Sequence, residues 1–159
     1  DRIDNLSNGL LKIGLKSDQN VVLFAETRPE WLMSAFSCFK IKVTVVTLYA
    51  TLGIDALCFG INQTNAPFLF TTGEQLPKLQ KILNKIPNIN NIIVFSDILT
   101  EKNIRDFKKN CPSSIKVHLL EEVEKIGKES KPITNFKQPV ADDLALIMYT
   151  SGSTGILPC

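Results

Sequence analysis

Apolar residues along the chain fall into short runs separated by amphipathic stretches, and the two kinds alternate almost to the end. Leu6, Leu10, Ile13 and Leu15 recur among polar neighbours over residues 1–16, a helical spacing that Gly9 and Gly14 interrupt, with the helix expected to end near Gly14. Val21-Val22-Leu23-Phe24-Ala25 is a continuous apolar run of strand length, as expected for a strand covered on both faces. Thr27-Arg28-Pro29-Glu30 has the form of a capping box with proline in the first turn, so a helix should start there. Leu32, Ala35, Phe36 and Phe39 follow at i, i+3, i+4 and i+7, which predicts one stripe against a sheet, with Trp31 and Phe39 as core anchors.

The alternation continues. Val43 to Leu48 is β-branched and reads as a strand, and Tyr49-Ala50-Thr51-Leu52-Gly53 turns into a helix carrying Ile54, Leu57 and Ile61. Phe68-Leu69-Phe70 is a third strand. A helix opened by Gly73 and Glu74 should point Leu76, Leu79, Leu83 and Ile86 inward before Pro87 closes it. Ile92-Ile93-Val94-Phe95 is a fourth strand, and a surface helix is expected around Ile104 and Phe107 before Cys111-Pro112-Ser113-Ser114 breaks it. Ile115 to Leu119 reads as a strand and Glu121 to Ile126 as a helix with Gly127 as its C-cap; residues 127–139 are polar and read as a linker. Leu144 to Tyr149 is a last strand, running straight into Thr150. Repeated strand–helix alternation predicts an α/β fold, a mainly parallel sheet with helices on both faces, because parallel neighbours need crossover connections. Ligands of such sheets bind beyond the carboxyl ends of the strands.

Composition narrows the chemistry. The 18 Lys+Arg against 16 Asp+Glu leave a formal charge of +2, too little for a nucleic-acid footprint, so no nucleic-acid partner is expected. The 4 cysteines show no C-x-x-C spacing and there is 1 histidine, which excludes a zinc centre and leaves His118 as the single base for any nucleophilic triad. His118 sits in the strand-like Val117-His118-Leu119-Leu120 run and reads as structural. No apolar stretch approaches the roughly 18–20 residues that span a bilayer, so this segment is expected to be soluble.

The candidate chemistry lies in Thr150-Ser151-Gly152-Ser153-Thr154-Gly155, with four hydroxyls and two glycines in six residues after a strand. Glycines let backbone amides turn inward as an anion nest, and hydroxyls add donors or offer an oxygen to Mg²⁺, a composition suited to a polyphosphate. A flexible Gly/Ser turn is the plain alternative. A G-x-x-x-x-G-K-[ST] loop is absent, and the G-x-S-x-G elbow fails because Ser153 has Ser151 two before it and Ser151 has Tyr149.

Tyr149 to Gly155 matches the Y-T-S-G-S-T-G signature of adenylate-forming, AMP-binding enzymes, and Asp143-Leu144-Ala145 matches its lead-in. Phe24-Ala25-Glu26-Thr27-Arg28-Pro29-Glu30-Trp31 and Thr47-Leu48-Tyr49-Ala50-Thr51-Leu52-Gly53 are similar to stretches of the long-chain fatty acid:CoA ligases, especially the eukaryotic branch that prefers polyunsaturated acids. The resemblance implies that residues 1–159 are part of an N-terminal AMP-binding domain, truncated after the phosphate loop and lacking the C-terminal domain. It implies a two-step ligase in which ATP and a long-chain fatty acid give acyl-adenylate and diphosphate, and CoA then displaces AMP. Carried over, Thr150, Ser151, Gly152, Ser153, Thr154 and Gly155 hold the ATP phosphates, Thr150 faces Mg²⁺, and Tyr149 packs rather than reacts. The family pattern continues x-Pro-Lys-Gly, whereas here Ile156-Leu157-Pro158-Cys159 follows, so the phosphate-contacting lysine is missing and the isolated chain is expected to be catalytically incompetent. The parent is expected to associate with membranes, on the cytosolic face of the endoplasmic reticulum or on lipid droplets. Another adenylating ligase, for aromatic or amino acids, and a non-catalytic short form are the alternatives.

Overall fold

The expected alternation of strands and helices is present in the computed structural model, which describes residues 1–149, apart from the side chain of Ile98. The order is α1 (Arg2–Lys12), β1 (Asn20–Phe24), α2 (Pro29–Lys40), β2 (Thr44–Leu48), α3 (Ile54–Gln63), β3 (Phe68–Thr72), α4 (Leu76–Gln80), β4 (Asn91–Phe95), α5 (Glu101–Asn110), β5 (Lys116–Leu119), α6 (Leu120–Glu129) and β6 (Leu146–Met148). All pairings in the sheet are parallel, in the order β5-β4-β3-β1-β2-β6. Connections run outward from β1 in both directions, so the order reverses between β1 and β3.

Helices cover both faces. On one, α3, α4 and α5 bring Leu57, Ile61, Leu76, Leu79 and Phe107 onto Val22, Phe24, Leu69 and Val94. On the other, α1, α2 and α6 bring Leu6, Leu10, Cys38 and Val123 onto Leu23, Val45, Phe70 and Phe95. Alternate residues of β1 therefore face opposite cores, which is why it is apolar from Val21 to Phe24.

Several local expectations are corrected. Arg28, not Thr27, is the N-cap residue of α2; it is extended at φ −156°, ψ 168° and offers no side-chain cap. A residue before proline is pushed away from helical geometry, which places the boundary at Arg28. Glu30 then accepts from Arg28 Nε at 2.7 Å instead of reaching back to a cap amide. The stripe on α2 is also rotated. Leu32 and Phe36 are 49% and 53% exposed, whereas Ser34, Ala35, Ser37 and Cys38 are buried. Ser7 Oγ donates to Ser37 O at 3.0 Å, and Ser37 Oγ to Met33 O at 2.7 Å, so small side chains let α1 and α2 approach closely with the hydroxyls of Ser7 and Ser37 satisfied. Phe39, like Trp31, is only partly buried against that core.

The helix expected over 74–86 divides into α4 and a 3₁₀ turn at Leu83–Lys85, although Leu76, Leu79, Leu83 and Ile86 are all buried as the spacing predicts. Gly127 lies inside α6 rather than at its C-cap, which is Ser130. A Cβ on Gly127 would stand 1.8 Å from Asn5 O, and one on Gly9 2.0 Å from Val123 O. These two glycines are where α1 and α6 cross, backbone to backbone. Gly9 accordingly does not interrupt α1.

Residues 130–145 lack regular structure but are fastened along their length. Asn8 Nδ2 donates to Gly127 O at 2.8 Å and Asn8 Oδ1 accepts from Ile133 N at 2.9 Å. Phe136 packs onto the α1/α2/α6 core, Lys137 pairs with Asp18, and Lys42 Nζ lies 3.0 Å from Asp143. This segment carries the chain from α6 back across the sheet and delivers β6 beside β2.

Candidate functional site at the carboxyl edge of the sheet

Strands β1, β2 and β6 end together. β2 and β6 are in register from Val45↔Leu146 to Thr47↔Met148, and Thr44 Oγ1 and Val45 N donate to Leu144 O and Ala145 O at 2.8 and 2.9 Å, fixing the start of β6. Beyond these ends lies a cavity of about 280 Å³ lined by Ala25, Glu26 and Thr27 after β1, Trp31 of α2, Tyr49, Ala50 and Thr51 after β2, and Met148 of β6. Its walls are apolar and aromatic with a hydroxyl rim. Larger hollows of about 720, 600 and 580 Å³ lie away from β6, the first at the ends of β4 and β5 among Asp97, Glu101, Arg105 and Lys108, and one of about 370 Å³ touches β6 at Ile147, Met148 and Tyr149 but is otherwise lined by Asn20, Gln63 and Thr64.

The expected phosphate-binding residues Thr150, Ser151, Gly152, Ser153, Thr154 and Gly155, with Thr150 also the expected Mg²⁺ contact, lie outside the described residues. Tyr149, immediately before them, is described. Its hydroxyl donates to Gln63 Oε1 at 2.5 Å, its ring packs against the α3/α4/α5 core, and burial raises its hydroxyl pKa. Such a side chain anchors the strand end rather than reacting. Among the described residues, no group of three or more His, Cys, Asp or Glu could hold a metal.

Two further residues raised by the sequence can be placed. His118 is half-buried on β5 with Nε2 3.1 Å from Asn91 Oδ1, and burial lowers its pKa. Trp31, expected as a core anchor, both packs on the α1/α2/α6 core and lines the cavity. Sequence reading overlooked Lys78, whose Nζ donates to Ala50 O at 2.8 Å and Leu52 O at 3.2 Å, just behind the cavity wall. A lone lysine on a short helix gives no signal of a contact made so far along the chain.

A six-stranded parallel sheet with helices on both faces, and a cavity beyond its carboxyl ends, defines an α/β scaffold of the kind that takes ligands at that edge. The sequence model of the AMP-binding enzyme family matches residues 1–156, and the chain belongs to that family. Long chain acyl-CoA synthetase 8 of Arabidopsis thaliana is 35% identical over 158 residues, covering 98% of this chain and 21% of that protein. Long-chain-fatty-acid–CoA ligase 5 of Mus musculus is 36% identical over 166 residues, covering 98% and 22%. The chain thus spans about a fifth of the length of these curated relatives. Among solved structures, the adenylation domain of a carboxylate reductase from Mycobacterium chelonae superposes with a TM-score of 0.85 at 17% identity, covering 97% of this chain and 25% of that one. A long-chain-fatty-acid-CoA ligase from Archaeoglobus fulgidus gives 0.74 at 19%, covering 97% and 27%. The parallel α/β architecture is that of the family's adenylating domains.

Proposed function

We propose that this chain is part of the N-terminal domain of an ATP-dependent long-chain fatty acid:CoA ligase. The observation that carries the reading is the placement of β6. It pairs in parallel with β2 and hands the chain at the carboxyl edge, beside the Trp31/Tyr49/Met148 cavity, directly to the hydroxyl- and glycine-rich sequence Thr150–Gly155. That edge is where parallel sheets of this kind take their ligands.

In this reading residues Thr150–Gly155 hold the ATP phosphates and Thr150 offers its hydroxyl to Mg²⁺, which offsets phosphate charge when it accompanies the nucleotide. The protein's contribution is positional: phosphates held in one geometry leave the α-phosphorus open to the fatty-acid carboxylate. The carboxylate oxygen forms the new bond to phosphorus, diphosphate leaves, and the CoA thiol then displaces AMP to give the thioester. The 35–36% identity to proteins named as long-chain acyl-CoA synthetases or ligases supports a long-chain acid over an aromatic or amino acid. The full-length protein works at a membrane, on the cytosolic face of the endoplasmic reticulum or on lipid droplets. Among the described residues, no helix is long and apolar enough to cross a membrane.

The test supplies ATP, Mg²⁺, CoA and either oleate, arachidonate or anthranilate to a protein of the relatives' length that contains this sequence, and to the 159-residue chain alone. Acyl-CoA should form from the two fatty acids in the long protein only. Thioester formed from anthranilate but not from either fatty acid would overturn the substrate reading, and acyl-CoA from the short chain would overturn its incompetence.

A further inference from the structure

Lys78 joins three segments that meet at the reversal point of the sheet. It projects from α4, which follows β3; its Nζ donates to Ala50 O at 2.8 Å and Leu52 O at 3.2 Å in the turn after β2; and the same ammonium lies 5.5 Å from the centroid of the Phe24 ring at the end of β1. Lys78 is half-buried, and among the described residues no carboxylate comes within ion-pairing distance of it. A cation withdrawn from water without an anion must be met by oriented dipoles, and two carbonyls plus an aromatic face supply them. The carbonyls gain as well, since a turn that has left the sheet has no strand partner for them. Lysine suits the position because its ammonium is a compact charge with three donors that can be shared between two carbonyls.

We infer that Lys78 is a positioning residue: its ammonium clamps the Tyr49–Gly53 turn and so holds the wall of the cavity beside β6. Tyr49, Ala50 and Thr51 of that turn face Trp31 and Met148 across the cavity. Without the clamp the turn retains its Leu52 N to Tyr49 O bond of 3.0 Å and the Leu57 N to Gly53 O bond that starts α3, but the carbonyls between them lose their common donor. The inference rests on the proposed ligase only in taking this cavity as part of the working site; the clamp itself stands on the geometry.

The test uses the 159-residue chain and three variants, Lys78→Met, Lys78→Gln and Lys78→Arg. Trp31 is the only tryptophan, so the emission comes from this one side chain in the cavity wall. In Lys78→Met, with far-UV circular dichroism unchanged, amide exchange over Tyr49–Gly53 should quicken about tenfold. Trp31 emission should move to the red and iodide quenching should rise about twofold. Lys78→Gln, which keeps a donor but no charge, should behave like Lys78→Met, and Lys78→Arg should stay within about threefold of the unmodified chain in exchange. Exchange within twofold of the unmodified chain in Lys78→Met, or in Lys78→Gln, would overturn the clamp. A global loss of dichroism in Lys78→Met that Lys78→Arg does not restore would also overturn it, by making the residue a general packing element. None of these readouts depends on fatty-acid activation, so failure of the ligase reading leaves them interpretable.

Discussion

At the scale of single residues, burial rather than residue type decides what each apolar side chain contributes. Phe36 and Phe70 are chemically identical, yet Phe36 is 53% exposed and meets Phe39 edge-on at 6.2 Å, while Phe70 is fully enclosed and beside Phe95. Phe70→Ala should therefore cost about 3–5 kcal/mol of unfolding free energy and Phe36→Ala about 1 kcal/mol or less, measured by urea titration. Equal losses would show that α2 is oriented as its apolar spacing suggests. That orientation is the clearest case of something the sequence does not carry. Leu32, Ala35, Phe36 and Phe39 fit a helical stripe, but which face turns inward depends on the partner. Here the partner is α1, close enough that Ser34 and Ser37 serve better than large side chains.

At the scale of elements, the inner strands were legible because β1 to β4 are covered on both faces and are apolar at most buried positions, with Thr44, Thr71, Thr72 and Asn91 at strand ends as the exceptions. The crossing of α1 and α6 was not legible, since Gly9 and Gly127 each read locally as a helix breaker or cap and acquire their role only against each other. Adding a methyl at Gly127 brings a small gain in helix propensity of about 1 kcal/mol, but it collides with Asn5 O and Gly9 N, backbone atoms that cannot rotate away. We expect Gly127→Ala to lose about 2–3 kcal/mol net, with the denaturant midpoint lowered and the slope of the transition unchanged. Gly9→Ala should do the same. The double substitution should cost less than the sum of the two, because either methyl already separates the helices. Additive losses would mean that the two glycines act at independent sites.

The whole molecule depends on residues 130–145 to return the chain to β6, and those residues are held by an exposed charge network. Asp18 is kept below its ordinary value of 3.8 first by the hydrogen bond from Lys137 and further by Lys42; Asp143 is lowered by the backbone amide of Val140 and by Lys42. A carboxyl lowered in this way binds fewer protons folded than unfolded. Its contribution is therefore full above 3.8 and disappears as the pH falls through the native value. Amide exchange over residues 137–146 should accelerate in that acid window before the core strands do, and at neutral pH raised salt should produce part of the same effect. Simultaneous release of β1 and β3 would contradict an independently tethered segment.

At the carboxyl end of β6 the chain enters Thr150–Gly155, which we propose holds the phosphates of ATP for activation of a long-chain acid. The strand β6 was legible from residues 143–149, and the chemistry proposed for residues 150–155 rests on the sequence; the cavity was not legible, because its walls come from α2, from the turns after β1 and β2 and from the end of β6. The most direct measurement is oleate-dependent exchange of diphosphate into ATP, made on a protein of the relatives' length with the loop intact and with Thr150→Val or Gly152→Val. The expected result is exchange that requires oleate and falls by about 10²-fold or more in either variant. Exchange that proceeds without a fatty acid, or that survives both substitutions within a few-fold, would contradict the claim.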